Sequence, residues 1–282
     1  LRHPLPFVFV AAEAAIRQQD GLMELKSQVA LVTGAGSGIG KAAALKLAAE
    51  GAKVGLLGHT RTEIDKTAQE IERAGGEGLA LEADVSDENR MRAAIDRLAG
   101  KFGRLDIVVA NAGINGVWAP IDDLKPEEFD RTIAVNLRGT YLTLHLAVPH
   151  LKAQGAGSII VVSSINGNRT FTTPGATAYT ATKAAQVAMV QQLALELGKH
   201  HIRVNAVCPG EIETNIRDNT KLRHEQETAI PVEWPEGQVP ISDGRPGKSE
   251  DVAEVIAFLA SDRSRHVTGT PIYVDGGQGL LR

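Results

Sequence analysis

The chain reads as an α/β protein built on one doubly wound parallel sheet with helices on both faces, and three observations point to that class. Short runs of β-branched and apolar residues alternate with longer stretches of helical spacing, which is the rhythm of βαβ units. Most of the short runs are apolar throughout, as strands buried on both faces of a parallel sheet must be. The first run opens into a glycine-rich turn and then an alanine-rich helix, the order in which such sheets present a phosphate-binding loop.

Taken in order, the predicted strands are Val29 to Thr33, Lys53 to Leu57, Gly78 to Glu82, Leu105 to Ala110, Ser158 to Ser163, Arg203 to Val207 and Ile272 to Val274. Helical spacing covers Ile39 to Glu50, Thr62 to Ala74 and Asp87 to Ala99. Thr60 and Glu63 stand at capping-box spacing, and Ser86 is the expected N-cap of the third helix. Further helices are expected over Pro126 to Ala153, Ala178 to Lys199 and Glu250 to Ala260. A single domain over residues 23–282 accommodates all of these, in line with a length of 282 residues. The stretch from Asn215 to Gly247 holds four prolines and Trp234 with little periodicity, and a connection that long reads as a substrate lid. Residues 1–22 look foreign to the rest: Pro6 interrupts the apolar run Leu5 to Ala12 and Glu13 closes it. They are expected to be an upstream extension rather than a signal peptide, with Met23 as the natural beginning.

Composition excludes several classes of function. With 30 Lys+Arg against 34 Asp+Glu, the formal charge of -4 provides no basic face for nucleic acid. No apolar run approaches the length of a membrane span. A single cysteine, Cys208, cannot form an internal disulfide, which fits a reducing, cytoplasmic setting; at a strand end it reads as a small buried filler. The eight histidines show no HxxxH or HExxH spacing, so no metal is expected.

The 29 glycines are informative by position. In Thr33-Gly34-Ala35-Gly36-Ser37-Gly38-Ile39-Gly40 the fit is GxxxGxG, with Ile39 where a GxGxxG fingerprint from Gly34 would need glycine. Such a turn brings backbone N–H groups and a helix N-terminus against a pyrophosphate.

Further motifs follow in a fixed order: Asp84-Val85 after the third strand, Asn111-Ala112-Gly113 after the fourth, Val135-Asn136, Ser163-Ser164, Tyr179-Thr180-Ala181-Thr182-Lys183, and Pro209-Gly210-Glu211-Ile212-Glu213-Thr214. With the glycine turn, this set resembles the short-chain dehydrogenase/reductase family over about residues 25–279, and is similar among its members to 3-oxoacyl-carrier-protein reductases and glucose 1-dehydrogenases. The resemblance implies a Rossmann-type sheet of seven strands, a nicotinamide cofactor and interconversion of a secondary alcohol and a ketone. It also implies a homo-oligomer, dimer or tetramer, with the Tyr273 to Gly277 segment near a subunit interface.

Tyr179 and Lys183 are four apart at a helix start, so they share a face. An isolated tyrosine has a pKa near 10, and bringing it to about 7 takes roughly 4 kcal/mol. A neighbouring ammonium favours the phenolate, which makes Lys183 the natural partner of Tyr179 as general acid/base. Ser164 supplies a hydroxyl to hold the substrate oxygen, with Ser163 the lesser candidate. The interval from Ser164 to Tyr179 is slightly longer than the family's, so a small insertion around 169–173 borders the pocket. By resemblance, Asn136 binds a water in a proton relay behind Lys183. The resemblance also implies that Lys183 holds the nicotinamide ribose, that Asp84, Val85, Asn111, Ala112 and Gly113 line the cofactor, and that Pro209, Gly210, Ile212 and Thr214 contact the carboxamide end.

After the second strand, Gly58 stands where NAD-preferring members carry an acid, and His59, Thr60 and Arg61 could receive a 2'-phosphate. NADP(H) is therefore favoured, with NAD(H) as the alternative. The expected substrate is a small ketone, sugar or polyol. Reduction of a 3-oxoacyl group on a carrier protein ranks lower, because the segment from Leu151 to Gly157 has one basic residue where such docking favours a patch. A dinucleotide-binding redox sensor would have no use for Tyr179.

Overall fold

In the computed structural model, the residues described are 24–170, 173–214, 216, 220–229 and 239–281. The expected extension at 1–22 and parts of the expected lid, residues 215, 217–219 and 230–238, lie outside them. The strands are β1 (Val29–Thr33), β2 (Lys53–Gly58), β3 (Glu77–Glu82), β4 (Ile107–Ala110), β5 (Gly116–Trp118), β6 (Gly157–Val162), β7 (Ile202–Pro209), β8 (Thr220–Leu222) and β9 (Pro271–Val274). The helices are α1 (Gly38–Ala49), α2 (Arg61–Arg73), α3 (Glu88–Phe102), α4 (Pro126–Thr132), α5 (Gly139–Gln154), α6 (Thr177–Gly198), α7 (Glu225–Thr228) and α8 (Ser249–Ala260).

Seven strands form one parallel sheet in the order β3-β2-β1-β4-β6-β7-β9. The continuous apolar runs have the expected cause. Within β1, Val29 and Leu31 enter a core shared with α3, α5 and α6, whereas Ala30 and Val32 enter a second core shared with α1, α2 and α8. Successive side chains point to opposite faces, so a strand covered on both sides is mostly apolar, and the polar residues it does carry, such as Thr33 in β1 and Asn205 in β7, are buried with hydrogen-bond partners. Strand order reverses between β1 and β4, and the turns after β1, β4, β6 and β7 all emerge at the carboxyl edge beside that switch point, where ligands of such sheets bind. Among the described residues, no helix is long and apolar enough to cross a membrane.

Three local expectations need correction, and one element was not expected. The N-cap of α3 is Asp87, whose side chain accepts from Arg90 N at 3.1 Å; Ser86 instead donates to Asp84 Oδ1 at 2.7 Å. Thr60 caps α2 without a side-chain bond, so the capping box with Glu63 is not formed. The helix expected over 126–153 is interrupted by a π-helical turn, Ile133–Arg138, which contains Asn136. Finally, β5 and β8 make a separate two-stranded parallel sheet above the main one, with Gly116 opposite Thr220 and Trp118 opposite Leu222.

Candidate active site

The turn after β1 has the backbone that its glycines permit. Gly34 and Gly38 have φ of 67° and 52°, in the left-handed region. A Cβ at Gly40 would lie 2.8 Å from the Gly34 carbonyl carbon and 2.5 Å from Asn111 Nδ2, so a side chain there would push α1 off the turn. Ser37 caps α1 with no side-chain bond, leaving the first N–H groups of the helix directed outward. Thr33 joins this turn to the next strand: its hydroxyl accepts from Asn111 N at 3.0 Å and Ala112 N at 3.1 Å, while Asn111 Nδ2 donates to Thr33 O at 3.0 Å. Thr214 closes the far side, its Cγ2 3.3 Å from where a Cβ of Gly38 would stand. The segments expected to hold the two ends of a dinucleotide thus meet around one cradle that a side chain would fill. Its outward N–H groups fit a pyrophosphate.

Other expected cofactor residues are arranged around it. Asp84 Oδ1 accepts from Ser86 N at 2.9 Å and its Oδ2 faces Arg131 at 3.3 Å. Burial opposes its ionisation, but the Ser86 and Arg131 bonds outweigh burial and hold the carboxyl below 3.8. Val85 is buried against Gly139. Gly210 N donates to Val274 O at 3.1 Å, and Glu211 N to Gln278 Oε1 at 2.7 Å, so the C-terminal segment backs the Pro209–Gly210 turn. His59 is exposed, and Arg61 is committed to Asp65, reaching both carboxylate oxygens at 2.9 and 2.8 Å.

Ser164, Tyr179 and Lys183 converge on a cleft of about 1000 Å³. Ser164 follows β6, is 8% exposed, and shares a hydrogen bond with Tyr179. Ser163 is turned away, donating to Lys183 O at 2.8 Å, which gives it a structural use and leaves Ser164 to the cleft. Lys183, 4% exposed, donates from Nζ to Val162 O at 3.0 Å and stands 5.5 Å from the Tyr179 ring centre. Burial lowers its pKa to about 8. Burial raises Tyr179 above 10, and the Ser164 bond opposes that rise. Burial thus favours the protonated phenol. Cys208 is fully buried at the end of β7, and burial pushes its thiol up to about 11, which suits a filler.

Asn136 is fully buried and locked in place. Its Oδ1 accepts from Ile114 N at 2.8 Å, its Nδ2 donates to Ile114 O at 2.8 Å and Thr182 Oγ1 at 3.2 Å, and its carbonyl accepts from Gln186 Nε2 at 2.8 Å. Gly113 lies between Asn136 and Lys183: a Cβ there would be 3.3 Å from Asn136 Oδ1 and 3.7 Å from Lys183 Nζ.

Several lining residues have no motif that could have revealed them. Trp118, Asn115, Thr220 and Leu222 form a wall through the β5–β8 pair, with Asn115 Nδ2 donating to Thr220 Oγ1 at 2.7 Å. Arg223 fastens this wall, reaching Asp123 Oδ2 at 2.6 Å and both Glu128 oxygens at 2.9 Å, and bonding the Asp123 carbonyl as well. These guanidinium bonds hold Glu128 at about 2. Asn166 donates to Thr173 Oγ1 at 2.7 Å, and Thr170 and Thr173 of the expected insertion line the cleft, together with Gln278 and Leu281 from the C-terminal segment. Two of these segments left a trace in the sequence: the insertion, as the longer interval before Tyr179, and Thr220 and Leu222, which fall within the stretch expected to be a lid.

Comparison with known proteins agrees with this geometry. The profile of the family described as enoyl-(acyl carrier protein) reductase matches residues 34–278. The 3-oxoacyl-[acyl-carrier-protein] reductase of Thermotoga maritima is 40% identical over 255 residues, spanning 90% of this chain and 99% of that protein. Levodione reductase of Leifsonia aquatica is 35% identical over 254 residues, spanning 89% of this chain and 94% of that protein. The crystal structure of a 3-ketoacyl-ACP reductase from Sinorhizobium meliloti 1021 is 78% identical with a TM-score of 0.87, covering 90% of this chain and all of that one. With the glycine turn, the seven-stranded sheet and the Ser164, Tyr179 and Lys183 cluster at its carboxyl edge, these matches establish that the chain belongs to the short-chain dehydrogenase/reductase family of oxidoreductases.

Proposed function

We propose that the protein interconverts a secondary alcohol and a ketone with a nicotinamide dinucleotide, taking a small neutral substrate such as a ketone, sugar or polyol. The observation that carries the reading is the convergence of Ser164, Tyr179 and Lys183 on one cleft beside the glycine turn. The glycine turn and the segments from Asp84, Asn111 and Pro209 would hold the dinucleotide, which supplies the hydride for the carbonyl carbon when bound. Ser164 holds the substrate oxygen, and Tyr179 gives its phenolic proton to that oxygen in reduction and takes it back in oxidation. Lys183, held near neutrality at about 8, carries positive charge at pH 7 and favours the phenolate left by the transfer. Asn136 steadies the Gly113 turn behind Lys183 and belongs to the positioning machinery.

A 3-oxoacyl thioester is the second reading, favoured by the names of the Thermotoga and Sinorhizobium relatives. Against carrier-protein docking, Arg223, which fastens the wall of the cleft, is already engaged with Asp123 and Glu128. Lys183 is the single cationic side chain among the described residues lining the cleft, alongside Glu211 and Glu225. Assembly as a symmetric dimer or tetramer belongs to the same reading, with Tyr141 on α5 and Leu195 on α6 exposing apolar surface that light scattering would test.

The test is a panel of ketones, sugars and 3-oxoacyl thioesters, assayed with NADH and NADPH. Turnover confined to thioesters would transfer the conclusion to the second reading. Tyr179→Phe should lose turnover by at least about a hundredfold while retaining dinucleotide affinity; activity near that of the parent protein would refute the role of Tyr179.

A further inference from the structure

We propose that Glu63, standing on the first turn of α2 against Gly36, selects NAD(H) over NADP(H) by placing a carboxylate at the adenosine ribose. This inference rests on the nicotinamide dinucleotide reading and runs opposite to what the missing acid at position 58 suggests. A Cβ at Gly36 would lie 2.8 Å from Glu63 Cβ and 2.8 Å from Glu63 Oε2. The Cβ of Glu63 is set by the backbone of α2, so its approach to the turn does not depend on a side-chain rotamer. That backbone is itself tied to the turn: Thr67, one helical turn later, donates its buried hydroxyl to Ala35 O at 3.0 Å, and Ala35 N donates to Leu57 O at 3.1 Å. No capping box with Thr60 is formed, and the Glu63 carboxylate lies at the turn instead.

The site of the missing acid explains why it arrives from α2. A Cβ at Gly58 would lie 2.8 Å from Ile64 Cγ2, so packing of α2 on the end of β2 leaves no room for an aspartate there. Arg61, the arginine among the residues that could receive a phosphate, is already engaged, held by both oxygens of Asp65. Ser37 brings no charge to the turn, and Glu82 stands directly opposite Gly58 in the pairing of β2 with β3. Around the end of β2, the carboxylates of Glu63, Asp65 and Glu82 outnumber the Arg61 guanidinium. A ribose 2'-hydroxyl can donate to a carboxylate, whereas a 2'-phosphate brings like charge against it.

The experiment measures equilibrium binding of NADH and NADPH to the full chain by calorimetry, without substrate, and repeats it with 5'-AMP and adenosine 2',5'-bisphosphate. NADH should bind at least about tenfold more tightly than NADPH, and the fragments should follow the same order. Glu63→Gln should narrow the ratio by about tenfold, mainly by strengthening NADPH, and Asp65→Asn should do so in part by releasing Arg61. Circular dichroism verifies that both variants are folded. NADPH binding as tight as NADH to the parent protein, or a ratio unchanged in Glu63→Gln, would overturn the selection by Glu63 while leaving the dinucleotide reading intact. Binding of neither dinucleotide would overturn that reading and this inference with it.

Discussion

Lys183→Met removes a buried ammonium whose cost to the fold has a defined pH window. Burial lowers the Lys183 pKa from 10.5 to about 8, a difference that corresponds to about 3 kcal/mol. Because the folded value lies below the unfolded one, the unfolded chain binds the extra proton between the two. Stability of the parent protein should therefore be lowest with respect to this group below about 8 and should climb as pH rises towards 10.5. Methionine matches the lysine stem in length and carries no charge. It leaves the Val162 carbonyl, now bonded to Nζ at 3.0 Å, without its partner, at a cost of roughly 1 to 3 kcal/mol that does not vary with pH. Urea unfolding of both proteins from neutral pH to about 10.5, followed by circular dichroism, isolates the effect, since the other titrating groups are common to both. The stability of the parent minus that of the variant should increase by about 3 kcal/mol across the window. A difference constant to within about 1 kcal/mol would mean that Lys183 titrates at an ordinary value and that burial is not what sets its charge.

Two further substitutions test the cradle and the wall of the cleft. Gly40→Ala should weaken dinucleotide binding by at least about tenfold and destabilise the fold by roughly 1 to 3 kcal/mol, because the added methyl meets Gly34 backbone and Asn111. Gly100→Ala, inside α3 with nothing within 4 Å of the added atom, should instead stabilise by about 0.5 to 1 kcal/mol and leave binding unchanged. Equal effects of the two in calorimetry and thermal melts would refute the close-contact argument. Arg223→Met should release β8 from Asp123 and Glu128, raising KM for the ketone by about tenfold with kcat changed by less than about threefold. An unchanged KM would show that the wall does not depend on this clamp.

The seven strands of the main sheet were legible because most are short and largely apolar, as burial on both faces of the sheet requires, even though β7 carries Arg203 and Asn205. Tyr179 and Lys183 were legible because four-residue spacing on a helix places them together whatever surrounds it, and Ser164 because the motif Ser163-Ser164 stands in the family's order before them. The β5–β8 pair was not legible: three residues carry no periodicity, and Gly116 meets Thr220 only through the folding of everything between them. The π-helical turn at Asn136 was hidden for a similar reason, since its partners Ile114, Thr182 and Gln186 come from other segments.

The order of residues thus carried the layered architecture and the glycine cradle through local spacing and the need to bury apolar runs, and, with the family's motif order, the hydroxyl, phenol and ammonium groups of the site. Tertiary structure alone decided which charges those groups meet. Arg61 is held by Asp65, Glu63 faces Gly36 instead of capping its own helix, and burial brings Lys183 down to about 8. Electrostatic environment is set by neighbours in space and by removal from water, and neither can be read from the order of residues along the chain.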